Sequence, residues 1–249
     1  MLKVLSLAVL LGTAVTVHAK VTSPQTEEIN KVVAEYIQQN PQAIIDSLQN
    51  HSKKQEQEAI AKLNAGVTAS KDQLSDSKSA IVIGKEDAAV KLVIFVDPNC
   101  PHCRVLETAI SDIEKDLPGK EKLGILVRQW PILGDNSKVV SAGLIAANAQ
   151  DSKKFTDLSA KIINSKEPMD EAKFISIAKE SGFDIEKLQA AMKSDAVMTQ
   201  LKNTQDLAVK IGLEATPTLI LSDKNGARLV QVGDKAGLQQ LLSDAIKKS

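Results

Sequence analysis

Aromatic side chains are scarce in this chain: one tryptophan, one tyrosine and four phenylalanines among 249 residues. With a hydrophobic fraction of 43%, a core is still affordable, but aliphatic residues and alanine must fill it. An excess of charge is also missing. The 31 basic and 31 acidic residues cancel, so nothing points to nucleic acid or an anionic membrane as partner. Cysteine is limited to two residues and histidine to three. A structural zinc site takes four protein ligands. Besides the histidine between the cysteines, only His18 and His51 are left, so no metal site is expected. Beyond the first 19 residues no stretch is apolar enough to span a bilayer, and no internal repeat is visible.

Residues 1–19 have the layout of a secretory signal: Lys3 at the charged start, a mainly apolar run over 4–15, and Val17-His18-Ala19 as a small-x-small cleavage site. The apolar run is too short for a membrane anchor. The expectation is cleavage after Ala19 and delivery to the periplasm, an oxidising compartment.

The two cysteines occur together. Residues 91–107 read KLVIFVDPNCPHCRVLE, a buried strand, a short turn and the start of a helix, with Cys100-Pro101-His102-Cys103 at the junction. This spacing puts both sulfurs on one helical turn. Cys100 meets unpaired backbone N–H groups and the positive end of the helix dipole, which favour thiolate. His102 adds to that stabilisation, and Pro101 restricts the loop. A stabilised thiolate is a good leaving group, so the disulfide form is the stronger oxidant. Cys103, one turn in, suits a resolving thiol. A purely structural disulfide across so short a loop would gain little chain entropy. Position 104 is arginine, so the C-x-x-C-H signature of haem attachment is absent.

Strand, Cys-Pro-His-Cys and helix, followed much later by Ala215-Thr216-Pro217-Thr218, resemble the DsbA family of thioredoxin-fold oxidoreductases over residues 79–248. The resemblance implies a cis proline at Pro217 facing the dithiol, with Thr216 and Pro217 offering backbone hydrogen bonds to a bound substrate strand. One departure stands out. Related enzymes often carry a buried acid six residues before the first cysteine, and here that position is Ile94. Asp97 is close in sequence, but alternation turns it to the opposite side of the strand.

The expected fold is α/β: a thioredoxin-like domain over residues 79–249 with a helical insertion at about 137–213, preceded by a helical region at 20–64 and a linker at 65–78. Ile29, Val32, Val33, Tyr36 and Ile37 share one helical face. Asn40-Pro41 interrupts that run, and Ala43, Ile44, Ile45 and Leu48 begin a second amphipathic segment. A unit this small has too little core to stand alone, so self-association is expected, with docking onto the catalytic domain as the alternative. It resembles the N-terminal oligomerisation segment of DsbA2-, Com1- and ScsC-like proteins, in which isomerase activity accompanies oligomerisation. Trp130 is expected in the core, with a place near the active-site side of the sheet as the alternative.

The functional expectation is a periplasmic homodimer that forms and isomerises disulfides in cysteine-containing exported proteins, with isomerisation favoured and no cofactor. Cys100, Pro101, His102 and Cys103 would carry the chemistry, Thr216 and Pro217 would bind substrate, and a DsbB- or DsbD-like membrane partner would reset the dithiol. The alternatives are an oxidase only, or a chaperone or Cu(I)-handling module with the two thiolates as soft ligands.

Overall fold

The structure is a computed structural model and describes residues 24–231 and 233–249. The expected signal segment and Val232 lie outside the described residues. The chain divides into two compact units, Met1–Glu56 and Gln57–Ser249.

In the first unit, α1 spans Pro24–Gln39 and α2 starts at Pro41. The break falls at Asn40, as proline disfavours helical backbone in the residue before it. The Asn40 backbone and side-chain N–H groups both donate to the Tyr36 carbonyl at 2.9 Å, closing the helix end. Every described residue to position 56 except Asn40 is exposed, including the apolar face of α1.

The second unit differs from the expected linker at 65–78. Helix α2 runs on to Ala69, α3 follows at Lys71–Ser75, and a 3-10 turn occupies Ser77–Ser79. Val67 and Leu74 are fully buried. Gly66, which reads as a helix breaker, instead permits close packing. A Cβ there would lie 2.7 Å from the Ile211 carbonyl oxygen.

Strands β1 (Ile81–Gly84), β2 (Val90–Val96), β3 (Leu123–Gln129), β4 (Thr218–Asp223) and β5 (Gly226–Val230) form one sheet in the order β1-β3-β2-β4-β5. β2 and β3 are parallel and joined through α4 (Pro101–Asp116), which gives the expected βαβ unit. β4 runs antiparallel to β2, and the β4–β5 hairpin turns through Lys224-Asn225, with Gly226 opening β5 opposite Asp223. Alternation in β2 sorts its side chains. Leu92, Ile94 and Val96 join a core completed by α4, the inserted helices and α10 (Lys235–Lys248). Val93 and Phe95 join a smaller core with Val67, Leu74 and Trp130 on the other face.

Between β3 and β4 lie α5 (Asp135–Gln150), α6 (Ser152–Ile163), α7 (Glu171–Glu180), α8 (Ile185–Met192) and α9 (Asp195–Ile211). The insertion is helical as expected, and acids or serine open four of these helices. Asp151, Asp170, Asp184 and Ser194 accept hydrogen bonds from the first backbone N–H groups of α6, α7, α8 and α9. Helix α5 is the hub. It packs against all four of the others and is buried from Val140 to Ala147, the pattern of an interior helix. Among the described helices none is long and apolar enough to cross a membrane.

Candidate active site

Register alone brings the two sequence motifs together. Phe95 on β2 pairs with Thr218 on β4. Because these strands are antiparallel, stepping back from Thr218 to Pro217 and Thr216 runs beside the end of β2, where the cysteine turn begins. The Thr216–Pro217 bond is cis, as the resemblance implies. The Cys100 Sγ lies 3.5 Å from the Thr216 carbonyl oxygen.

Cys100 is the N-cap residue of α4, with Pro101 in the first helical turn, where a missing N–H costs nothing. Its sulfur accepts from the Cys103 backbone N–H at 3.3 Å, so one of the orphan donors of the helix start points at this sulfur. Both cysteines are free thiols; Cys100 is 5% exposed and Cys103 is sealed. His102 and Pro101 are exposed. Burial pushes the Cys103 thiol well above the ordinary range, and its contact with Cys100 pushes it further. The Asp97 backbone and the Thr216 side chain oppose this. The two sulfurs therefore differ: Cys100 keeps a sliver of exposure and has a backbone donor aimed at it, while Cys103 is sealed and its thiol is raised by burial.

Several supporting residues escaped the sequence reading. Asp97, one residue past the end of β2, is fully buried. Its carboxylate accepts from the backbone N–H groups of Asn99, Ile132 and Leu133 at 2.8, 2.8 and 2.9 Å, and from the Ser137 hydroxyl at 2.8 Å. It fixes the turn before Cys100 to the 130–134 loop. Trp130, expected in the core, is there. It is 4% exposed, edge-on to Phe95, and donates to Gln205 at 2.8 Å. Asn99 exchanges hydrogen bonds with the Met169 backbone at 2.6 and 2.9 Å, while Arg104 donates to the carbonyls of Ser165 and Glu167 at 2.6 and 3.1 Å. Residues on both sides of the dithiol thus grip the same α6–α7 connection. Arg128, also buried, donates to the carbonyls of Gln73, Leu74, Asp76 and Ser79. Burial lowers it to about 10, with Asp76 acting the other way, so it stays charged at neutral pH. Among the described residues no group of three or more histidines, cysteines or acids is placed to hold a metal ion.

A mixed sheet with a helical insertion between its halves, and a dithiol at a helix N-terminus facing a cis proline, define the thioredoxin class. The family model described as thioredoxin matches residues 76–240, and the chain belongs to that family. Within it, the chain is a DsbA-type thiol–disulfide oxidoreductase. It is similar to disulfide bond formation protein D of Bacillus subtilis, with 27% identity over 59% of this chain and 69% of the relative. Among solved structures it is similar to a thioredoxin-like oxidoreductase from Silicibacter pomeroyi, at 27% identity and TM-score 0.60, covering 72% of this chain and 96% of that one. A linker-deletion mutant of Proteus mirabilis ScsC aligns over 94% of this chain and all of its own length, with TM-score 0.65 and 20% identity.

Proposed function

We propose that this oxidoreductase works in the periplasm as a homodimer, rearranging and forming disulfides in exported proteins, with isomerisation the larger part. Cys100 is the attacking sulfur and Cys103 the resolving one. In oxidation a substrate thiolate attacks the Cys100 sulfur of the disulfide form and Cys103 leaves. A second substrate thiolate then attacks the substrate sulfur of the mixed disulfide, and Cys100 leaves as thiolate. In isomerisation the Cys100 thiolate opens a wrong substrate disulfide; the freed substrate thiolate attacks a second substrate disulfide and releases another thiolate, which attacks the substrate sulfur bonded to Cys100, so that Cys100 departs unchanged as thiolate. Pro101 and His102 shape the loop and favour the thiolate, while Thr216 and Pro217 present backbone to an extended substrate. A membrane redox partner of DsbB or DsbD type resets the dithiol.

The observation that carries isomerisation is the apolar face of α1, with Ile29, Val32 and Tyr36 each 58–61% exposed. An isolated helix of this length is marginal in water, and burying such side chains stabilises by about 1.5–3 kcal/mol each. A second copy supplying the same face would cover it and set two dithiols around one substrate.

The test uses the full chain without residues 1–19, beside its Val33→Lys variant. The native protein is expected to sediment as a dimer and to reactivate scrambled ribonuclease. The variant should sediment as a monomer, lose reactivation at least tenfold, and still oxidise a small dithiol at the native rate. Equal reactivation by a monomeric variant would sink the dimer as the basis of isomerisation, and quick oxidation without reactivation by either protein would sink the isomerase reading and leave an oxidase.

A further inference from the structure

Cys100 is delivered to the start of α4 by a four-residue turn, Asp97-Pro98-Asn99-Cys100. The residue types suit a turn: an acid first, then a proline whose φ is already fixed. The Asp97 carbonyl accepts from the Cys100 N–H at 3.0 Å, and its carboxylate accepts from the Asn99 N–H at 2.8 Å. Asp97 thus closes the turn twice, once with main chain and once with side chain. The rest of the carboxylate reaches outward. Ile132 and Leu133 give backbone N–H groups to one oxygen, and Ser137 of α5 gives its hydroxyl to the other. The Asn99 side chain returns to the same hydroxyl at 3.3 Å. Donors from the turn, the 130–134 loop and α5 therefore meet on one sealed carboxylate.

What this frame holds is the setting of the Cys100 sulfur. That atom sits between a donor, the Cys103 N–H at 3.3 Å, and an acceptor, the Thr216 carbonyl at 3.5 Å. The donor favours thiolate and the acceptor favours thiol, so the position of the sulfur decides the balance. The donor contact needs Cys100 in its N-cap backbone, φ −78° and ψ 117°, and that backbone is pinned by its own N–H to Asp97. It is likewise the main chain of Asp97, not its carboxylate, that favours the ionised form of Cys103. On α4 the charged and titratable groups near the turn are His102, Cys103 and Arg104, whose guanidinium is directed to the Ser165 and Glu167 carbonyls. The α6–α7 connection brings Lys166, Glu167 and Asp170, while residues 130–134 and 215–218 include no charged side chain.

We propose that Asp97 is a positioning residue for thiol–disulfide exchange: by closing the turn before α4 it keeps the Cys100 sulfur on the helix-start donor and so favours the dithiol form. This rests on Cys100 as the attacking sulfur, and it applies to oxidation and isomerisation alike. The exchange concerned converts protein disulfide and two glutathione thiols into protein dithiol and glutathione disulfide, with two electrons and two protons passing to the protein. A thiolate held at Cys100 stabilises the product side, which makes the protein the stronger oxidant. An asparagine at position 97 would keep one acceptor oxygen and turn an NH2 donor toward backbone N–H groups, whichever way it flips. The turn would then be held from one side only.

The test equilibrates the full chain, Asp97→Asn, Ser137→Ala and the double variant with reduced and oxidised glutathione at neutral pH. It also follows iodoacetamide labelling against pH and locates the label by peptide mass. The Ser137 hydroxyl meets Asp97 and Asn99 but neither sulfur. Asp97→Asn should move the equilibrium about tenfold toward the disulfide, a fall in potential of about 30 mV, and should move Cys100 labelling to higher pH. Ser137→Ala should shift both the same way by less. Adding it to Asp97→Asn should change little more, because both act through one frame. A native potential in folded Asp97→Asn would overturn the proposal. So would a rise in potential with labelling at lower pH, the sign expected if the carboxylate acted by its charge. If Asp97→Asn does not fold, Ser137→Ala decides alone: a lowered potential supports the proposal and a native one overturns it. Labelling of Cys103 ahead of Cys100 would instead unseat the attacking-sulfur assignment, with the potentials still deciding on Asp97.

Discussion

At the scale of single residues, the site depends on where protons and hydrogen bonds are held. Glu107 is half-buried on α4 and lines a cavity of 170 Å³ between α4, α6 and the sheet. Burial raises its carboxyl to about 7 in the folded chain, above that of an unfolded glutamate. The folded chain therefore keeps a proton that the unfolded chain releases, and stability falls as pH rises across the window from about 4.5 to 7. Above that window the cost is fully present; below it there is none. Thermal unfolding of Glu107→Gln should show a gain of about 3 kcal/mol at pH 8 and no gain at pH 4. An equal gain at both pH values would show that ionisation is not the cause. Asp97 should behave oppositely. Its four hydrogen bonds have no substitute, and unpaired buried donors are expensive, so Asp97→Ala should lose about 2–4 kcal/mol by denaturant unfolding. The same variant should speed amide exchange at Ile132 and Leu133, whose N–H groups it leaves unpartnered.

The element scale is governed by how closely helices approach one another. Helix α5 meets α7 at Gly143, where an added Cβ would overlap the ring of Phe174, itself fully buried. Alanine is the better helix former by about 1 kcal/mol, yet forcing extra volume into a packed core costs about 1–3 kcal/mol. Gly143→Ala is expected to lower stability by about 1–2 kcal/mol, whereas a gain in melting temperature would mean the two helices separate easily. The α6–α7 connection matters for a different reason. Arg104 and Asn99 tie it to the dithiol turn from both sides, so the insertion and the reactive sulfurs share a mechanical link.

At the scale of the whole molecule, the fold of the second unit begins earlier than the catalytic motifs do. Val67 and Leu74 are sealed into the smaller core, and Arg128 takes its acceptors from residues 73–79. A chain starting at Gln57 keeps these contacts, and a chain starting at Ser77 loses them. Burial of the two side chains alone stabilises by about 3–6 kcal/mol. The shorter chain is therefore expected to melt well below the longer one in calorimetry, and equal melting temperatures would show that the segment is dispensable.

Much of this protein follows from local sequence. Cys100 and Cys103 are one turn apart wherever a helix begins at Pro101, and Asp184 caps its helix through its own side chain. The alternation of residues 90–96 decides which face Ile94 takes. These features depend on neighbours within a few positions, so they were legible. Thr216-Pro217 was legible only beside the cysteines, because a lone X-Pro has many uses. The remainder required the fold. Gly66 looks like the start of a linker until Ile211 lies against it. Arg128 is an ordinary strand residue until four carbonyls from positions 73–79 surround it. Glu107 is one more acid on a charged helix until the sheet and α6 close a cavity over it. In each case the deciding partner lies on a different element, and desolvation, which gives a charge or a carbonyl its energetic weight, exists only once the chain has packed.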